Sequence, residues 1–155
     1  MNERIVYEMD GGGITVMHPT GIEPLADIIA TKVPAGKAHK IIDVSEIPQD
    51  RVFRDAWEMP GSAIQVNLGR AKEIAHGWRR EKRVRDFAPL DIQATIPSQA
   101  QAAERARQVI RDIDALLQTD IDNAADEAAL RVYALPLWPG NNPDIVGPEH
   151  VPVLI

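Results

Sequence analysis

The chain contains no cysteine among its 155 residues. This absence excludes disulfide bonds, thiol catalysis and thiolate metal ligands. No apolar run approaches the roughly 18 residues that a membrane-spanning helix needs, and the N-terminus leads into an alternating strand pattern rather than a signal-peptide block. Aromatic residues make up only 5% of the chain. We therefore expect a protein made in a cytoplasm, with no membrane partner, and held together by packing or by other proteins.

Charge is unevenly placed along an acidic chain of formal net charge -6. Residues 69–87 hold seven basic and three acidic residues, whereas residues 98–155 hold nine acidic and four basic ones. The negative net charge of the whole chain disfavours nucleic acid as a partner. The basic stretch at residues 79–85 could touch phosphates, but the acidic residues Asp112, Asp114 and Asp120 offer it partners within the chain or in a copy. We expect such pairing between segments or subunits.

The first 68 residues predict a small antiparallel β-sheet domain with one short helix. Alternating runs at residues 4–9 and 14–18 flank three glycines, which is the pattern of a β-hairpin. Apolar residues at helical spacing predict a helix between Thr20, as its cap, and Pro34. Later runs with strand character lie at residues 39–44, 52–59 and 64–68.

Residues 69–135 predict long helices. The first should run from Arg70 to about Phe87 or Ile92, and Ser98 with Gln101 should form a capping box that opens the second. Asp122 should cap a third. The fold class predicted is α+β, with a β-rich domain at 1–68, a helical hairpin region at 69–135 and an extended Pro-rich tail at 136–155.

No group of residues forms a reactive constellation in the sequence. The four histidines are scattered without metal-ligand spacing, and the serines lack a nucleophile context. Gly11-Gly12-Gly13 precedes a strand rather than the helix that a phosphate cradle requires. Asp112 and Asp114 lie two positions apart on a helix and point to different sides. We predict no catalytic residue, no metal site and no cofactor.

Two sets of apolar residues are candidates for binding. The second predicted helix has a seam close to a heptad repeat, which either a hairpin within the chain or a joint between copies would bury. The candidate seam residues are Ala106, Ile110, Ile113, Leu117 and Ile121. Large residues outside the long helices either pack within the fold or fill a pocket on a partner. These candidate partner-binding residues are Phe53, Trp57, Leu137, Trp138, Ile145 and Val146.

A fixed order of features carries a family resemblance over about residues 3–80. The predicted hairpin is followed by Val-Pro-Ala-Gly at residues 33–36, by Ile-Asp-Val-Ser-Glu-Ile-Pro-Gln-Asp-Arg-Val-Phe-Arg-Asp-Ala-Trp at residues 42–57, and by Ala-Lys-Glu-Ile at residues 71–74. This order resembles small proteins encoded in the tail-gene region of tailed bacteriophages and prophages. The helices around residues 87–91 and 108–112 are similar to the C-terminal helices of the same group and, more loosely, to those of tail assembly chaperones.

The resemblance implies a non-enzymatic assembly role in a virion tail that is put together in the host cytoplasm. The first hypothesis is a structural component attached to the tail fibre or baseplate, as a homo-oligomer or as part of a hetero-oligomeric assembly. The alternative is a tail-fibre assembly chaperone that is not retained in the virion. A third hypothesis, a hydrolase acting on the host envelope, is disfavoured because the sequence offers neither a nucleophile–base pair nor a metal cluster.

Overall fold

The computed structural model describes residues 2–141 of the chain and has an α+β fold. It divides into two units, Met1–Asn67 and Leu68–Ile155. The division falls one residue before the predicted end of the β-rich domain. The first unit contains the strands and one short helix, and the second contains the long helices.

A three-stranded antiparallel sheet forms the base of the first unit. Its strands are β1 (Glu3–Glu8), β2 (Ile14–Met17) and β3 (His39–Asp43), in the spatial order β2-β1-β3. Val6 lies opposite Val16 of β2, and Ile5 lies opposite both Met17 of β2 and Ile41 of β3. Because successive side chains alternate between faces, Val6 and Ile5 serve opposite faces of the central strand, and both are fully buried.

The turn between β1 and β2 depends on glycine. Gly12 and Gly13 have φ angles of +84° and +85°, and the Met9 amide donates to the Gly13 carbonyl. A Cβ on Gly13 would lie 3.1 Å from Cε of Met9. The predicted hairpin is confirmed, and its turn needs a residue that tolerates the left-handed region.

Gly13→Ala is expected to lower the free energy of unfolding of the first unit by about 1–2 kcal/mol, since an L-residue pays that much in the left-handed region. The measurement is urea unfolding of the full chain. Gly11→Ala is the matched control, because a Cβ there meets nothing within 4 Å. Equal losses for the two variants would contradict the assignment of strain to Gly13.

Helix α1 spans Leu25–Lys32 and begins later than predicted. Its N-cap is Pro24, which has no side-chain capping bond, so Thr20 is not the cap. Ile22 is left exposed rather than on the inner helix face. Val33 ends the helix through a bond from its amide to the Ile29 carbonyl, next to the predicted stop at Pro34.

The prediction of a strand at residues 52–59 is wrong for most of this range. Arg54–Ala56 form a 3-10 turn, and only β4 (Trp57–Glu58) is extended, pairing with β5 (Gln65–Val66). The Met59 amide donates to Glu8 at 2.8 Å, which ties this hairpin to the first sheet. An apolar core cluster of the unit includes residues from both sheets. Its buried members are Val6, Ile14, Ile42, Ile47, Trp57 and Ile64.

The turn after β3 is held by a capping box. Asp43 accepts hydrogen bonds from the hydroxyl and the amide of Ser45, at 2.7 and 2.9 Å, while Glu46 accepts from the Asp43 amide. The hydroxyl bond from Ser45, followed by its amide bond, lowers the pKa of Asp43 below the ordinary 3.8. A carboxyl with a lowered folded-state pKa stabilises the fold above its unfolded pKa, and this contribution fades as the pH falls through the folded value.

Ser45→Ala is expected to raise the pKa of Asp43 towards its ordinary value, because the larger of the two stabilising bonds to the carboxylate is lost. Titration of side-chain carboxyl carbons by NMR measures this directly. Ser62→Ala, in a bend elsewhere in the same unit, should leave the titration unchanged. An unaltered Asp43 pKa in Ser45→Ala would show that the hydroxyl bond is absent in solution.

The second unit contains α2 (Leu68–Ala94), α3 (Ala100–Asn123) and α4 (Glu127–Ala134). The predicted capping box at Ser98 and Gln101 is wrong. The N-cap of α3 is Gln99, which makes no side-chain capping bond. The predicted cap at Asp122 is also wrong, because the N-cap of α4 is Asp126, whose carboxylate accepts from the Ala129 amide at 2.8 Å.

The segment after α4 is helical in short turns where the structure describes it. Leu135–Leu137 and Pro139–Asn141 are 3-10 turns, so the prediction of an extended tail from residue 136 is wrong for this portion. A proline at the start of a 3-10 or α-helical turn loses no bond, because the first amides have no internal partner. The remainder of the predicted tail, residues 142–155, lies outside the described residues.

Candidate binding surface

Helices α2 and α3 pack side by side in opposite directions. Lys72 donates to the Asp122 carbonyl at 2.8 Å near the start of α2, and Arg107 pairs with Asp91 near its end. His76 also bonds Asp122, at 2.9 Å. Since residue numbers rise along one helix as they fall along the other, the predicted antiparallel helical hairpin is confirmed.

A buried ion pair lies in the middle of this hairpin. Arg79 of α2 and Asp114 of α3 are both buried and bond to each other, and Arg83 reaches the same carboxylate at 3.2 Å. Nε of Arg79 is buried with no protein hydrogen-bond partner. Burial of two charges is costly unless they are paired, so this contact constrains how the helices align.

Three residues of the basic stretch of α2 have acidic partners within the chain. Arg79 and Arg83 bind Asp114, and Lys82 pairs with Asp86. Of the acidic residues expected to serve this stretch, Asp114 does so, whereas Asp112 accepts from Gln108 at 2.8 Å. Elsewhere on α3, Arg111 and Arg107 hydrogen-bond Glu104 and lower its pKa.

The predicted seam residues of α3 do not all face the same way: some pack on α2 and others are exposed. Ile121 is buried, Ile110 and Leu117 are half-buried, and all three follow the row that contains Asp114 and packs on α2. Ile113 lies off this row and is 59% exposed. The hairpin within the chain therefore covers one part of the seam only.

Ile113 belongs to a second apolar row, which we name the outer stripe. Val109 and Leu116 are 55% and 68% exposed, and Ala102 is also exposed, while Ala106 is half-buried. Residues of this stripe are spaced alternately by four and three, so they share one face of the helix. The outer stripe is Ala102, Ala106, Val109, Ile113 and Leu116. A groove of about 90 Å³ between α2 and α3, lined in part by Ile110, Ile113 and Leu117, adjoins it.

Phe53 and Trp57 are 2% and 1% exposed, and Trp57 belongs to the core of the first unit. Their interpretation as surface anchors for a partner is therefore corrected, because their side chains already pack within the fold. Leu137 is likewise buried, and Trp138 is half-buried. The other two candidate partner-binding residues, Ile145 and Val146, lie outside the described residues.

Two features of the hairpin were not predicted from the sequence. They are the burial of Arg79 and the division of the apolar residues of α3 into two rows. Arg79 continues the buried row of Ala71 and Ala75 at spacings of four, and that position could have marked it as inward-facing. The split of α3 into two rows was also readable, because its apolar residues exceed what one seam requires.

Among residues 2–141, no group of three or more histidine, aspartate or glutamate side chains lies close enough to hold a metal ion. Within the same residues, no helix has both the length and the apolar character needed to cross a membrane. No protein-family model, no curated protein and no solved structure matches the chain.

Proposed function

We propose that this protein is a structural component of a phage tail, attached to the tail fibre or baseplate, and that it acts by binding other proteins. The observation that carries the binding role is the outer stripe. Three large apolar side chains, Val109, Ile113 and Leu116, stand in one row with more than half of each exposed. A continuous apolar row on a charged helix is typical of a protein–protein contact.

The tail assignment is supported by the ordered block at residues 42–57. Ile42, Ile47 and Trp57 of this block pack together in the core of the first unit, so the residues that carry the resemblance specify a folded module. In the proposed role, this module docks one tail protein and the helical hairpin provides a separate binding surface.

The test is mass spectrometry of gradient-purified particles from the phage or prophage that encodes the chain. We expect the chain in a fixed ratio to the major tail proteins. Ile113→Gln should reduce that ratio, whereas Val132→Gln, at an apolar residue of α4 that is also more than half exposed, should not. Glutamine suits both positions, since it is a good helix former.

The chaperone alternative is favoured by the same stripe, because an exposed apolar row also suits transient binding of an unfinished fibre. Absence of the chain from particles, together with abundance in the lysate of infected cells, would overturn the structural role in favour of the chaperone. Normal tails and infectivity after deletion of its gene would overturn both.

A further inference from the structure

We propose that the outer stripe of α3 pairs with the same stripe of a second copy of this chain, with the two α3 helices antiparallel about a twofold axis. This inference rests on the binding role proposed above and names the partner. About a twofold axis, the same surface of both copies meets, so the contact must be self-complementary.

The spacing of the outer stripe suits a second helix. Its residues follow the alternation of four and three that lets two helices pack along a seam. The row that packs on α2 lies one position further along the sequence, about 100° around the helix. A helix with two such rows has the geometry of a four-helix bundle member, with one neighbouring helix for each row. Helix α2 fills the first place, and the second copy fills the other.

One edge of the outer stripe carries charges of both signs. Arg105 and Asp112 are both exposed and precede Ala106 and Ile113 on the side away from α2. In a parallel pair, Arg105 would face Ile110 of the second copy, which offers no charge. In an antiparallel pair, residues of this edge face one another, so Arg105 can lie opposite Asp112 of the second copy, and the twofold axis repeats the contact.

The side chains of the outer stripe fit one another in the antiparallel alignment. This alignment brings Ala106 opposite Val109 of the second copy and Ala102 opposite Ile113, each twice. Small residues thus face large ones, which allows the helices to approach closely without voids. The last turns of α3, which lead into α4, stay outside the overlap.

Sedimentation equilibrium of the full chain tests the pairing. The mass should rise with concentration from 17.1 kDa to twice that value. Because the two helices overlap only over residues 102–113, we expect the contact to bury less than the roughly 800 Å² per partner of a standard complex and the dimer to be weak. Ile113→Gln should raise the dimer dissociation constant at least tenfold, because both of the apolar contacts between Ile113 and Ala102 of the other copy are lost. Val132→Gln should leave it unchanged.

Charge reversal tests the antiparallel alignment. Arg105→Glu or Asp112→Arg alone replaces two attractive contacts with two repulsive ones, and each should raise the dissociation constant roughly tenfold. The double variant Arg105→Glu with Asp112→Arg should restore wild-type affinity, since the contacts are re-formed with exchanged signs. A double variant no tighter than the single ones would overturn this alignment.

The two proposals fail in different ways. A chain that stays monomeric at all concentrations, while Ile113→Gln still loses incorporation into particles, overturns the self-pairing and leaves the tail role with another partner. A dimer that responds to the variants as expected, in a chain that is absent from particles and dispensable for tails, overturns the tail role and leaves the self-pairing.

Discussion

Asp114→Ala is expected to lower the free energy of unfolding of the helical unit by about 3–5 kcal/mol, the cost of removing one partner of a buried ion pair. Asp114 is buried and binds Arg79, which is buried too. The variant leaves the buried Arg79 guanidinium without its carboxylate, and Arg83, which shares that carboxylate, loses it too.

Urea unfolding followed by helical circular dichroism measures this loss, because the long helices belong to this unit. Asp86→Ala is the matched control. It removes an aspartate from the more exposed pair with Lys82, and an i,i+4 surface pair contributes only about 0.3–0.5 kcal/mol. Comparable losses for Asp114→Ala and Asp86→Ala would show that the pair is hydrated in solution.

Trp57→Ala is expected to destabilise the first unit by about 3–5 kcal/mol, the usual cost of truncating a fully buried tryptophan. Trp57 is the largest of the fully buried side chains. It packs in one cluster with Val6 and Ile42 of the first sheet and with Ile64. Its removal leaves a cavity among residues from both sheets of the unit, which well-packed neighbours fill only in part.

Amide hydrogen exchange measures the effect locally, since protection of core strands reports the free energy of opening. The amides of β1 and β3 should lose protection in Trp57→Ala. Trp138→Ala, at a half-buried tryptophan of the other unit, is the control and should leave these amides unchanged. Retained protection of β1 in Trp57→Ala would contradict the central place of Trp57 in the core.

Local patterns predicted the first hairpin, β3 and the antiparallel pair of long helices, because each depends on features within a few residues. The glycines before Ile14 indicate the hairpin, and the apolar spacing on α3 indicates a helix that packs on a neighbour. The segment around Arg54 was misread as strand, since its apolar residues are buried by a 3-10 turn rather than by a sheet. That choice depends on distant packing partners, which override local preference.

The binding surface was only partly readable for a similar reason. Apolar spacing identified a seam on α3, but which residues α2 would cover depended on how the helices rotate about their axes. Asp114 gives the clearest case. Its charge suggests a solvated position, and its burial is tolerable because the guanidinium groups of Arg79 and Arg83 pair with it.

The pair formed by Arg79 and Asp114 also determines how the two helices of the hairpin can slide past each other. Along the row of α3 that packs on α2, the neighbours of Asp114 on either side are Ile110 and Leu117. A slip of one helical turn, about 5.4 Å, would set the buried guanidinium of Arg79 against one of these apolar side chains, where it would have no carboxylate partner. Apolar packing alone would distinguish such slipped forms weakly, so the ion pair selects a single alignment of the hairpin.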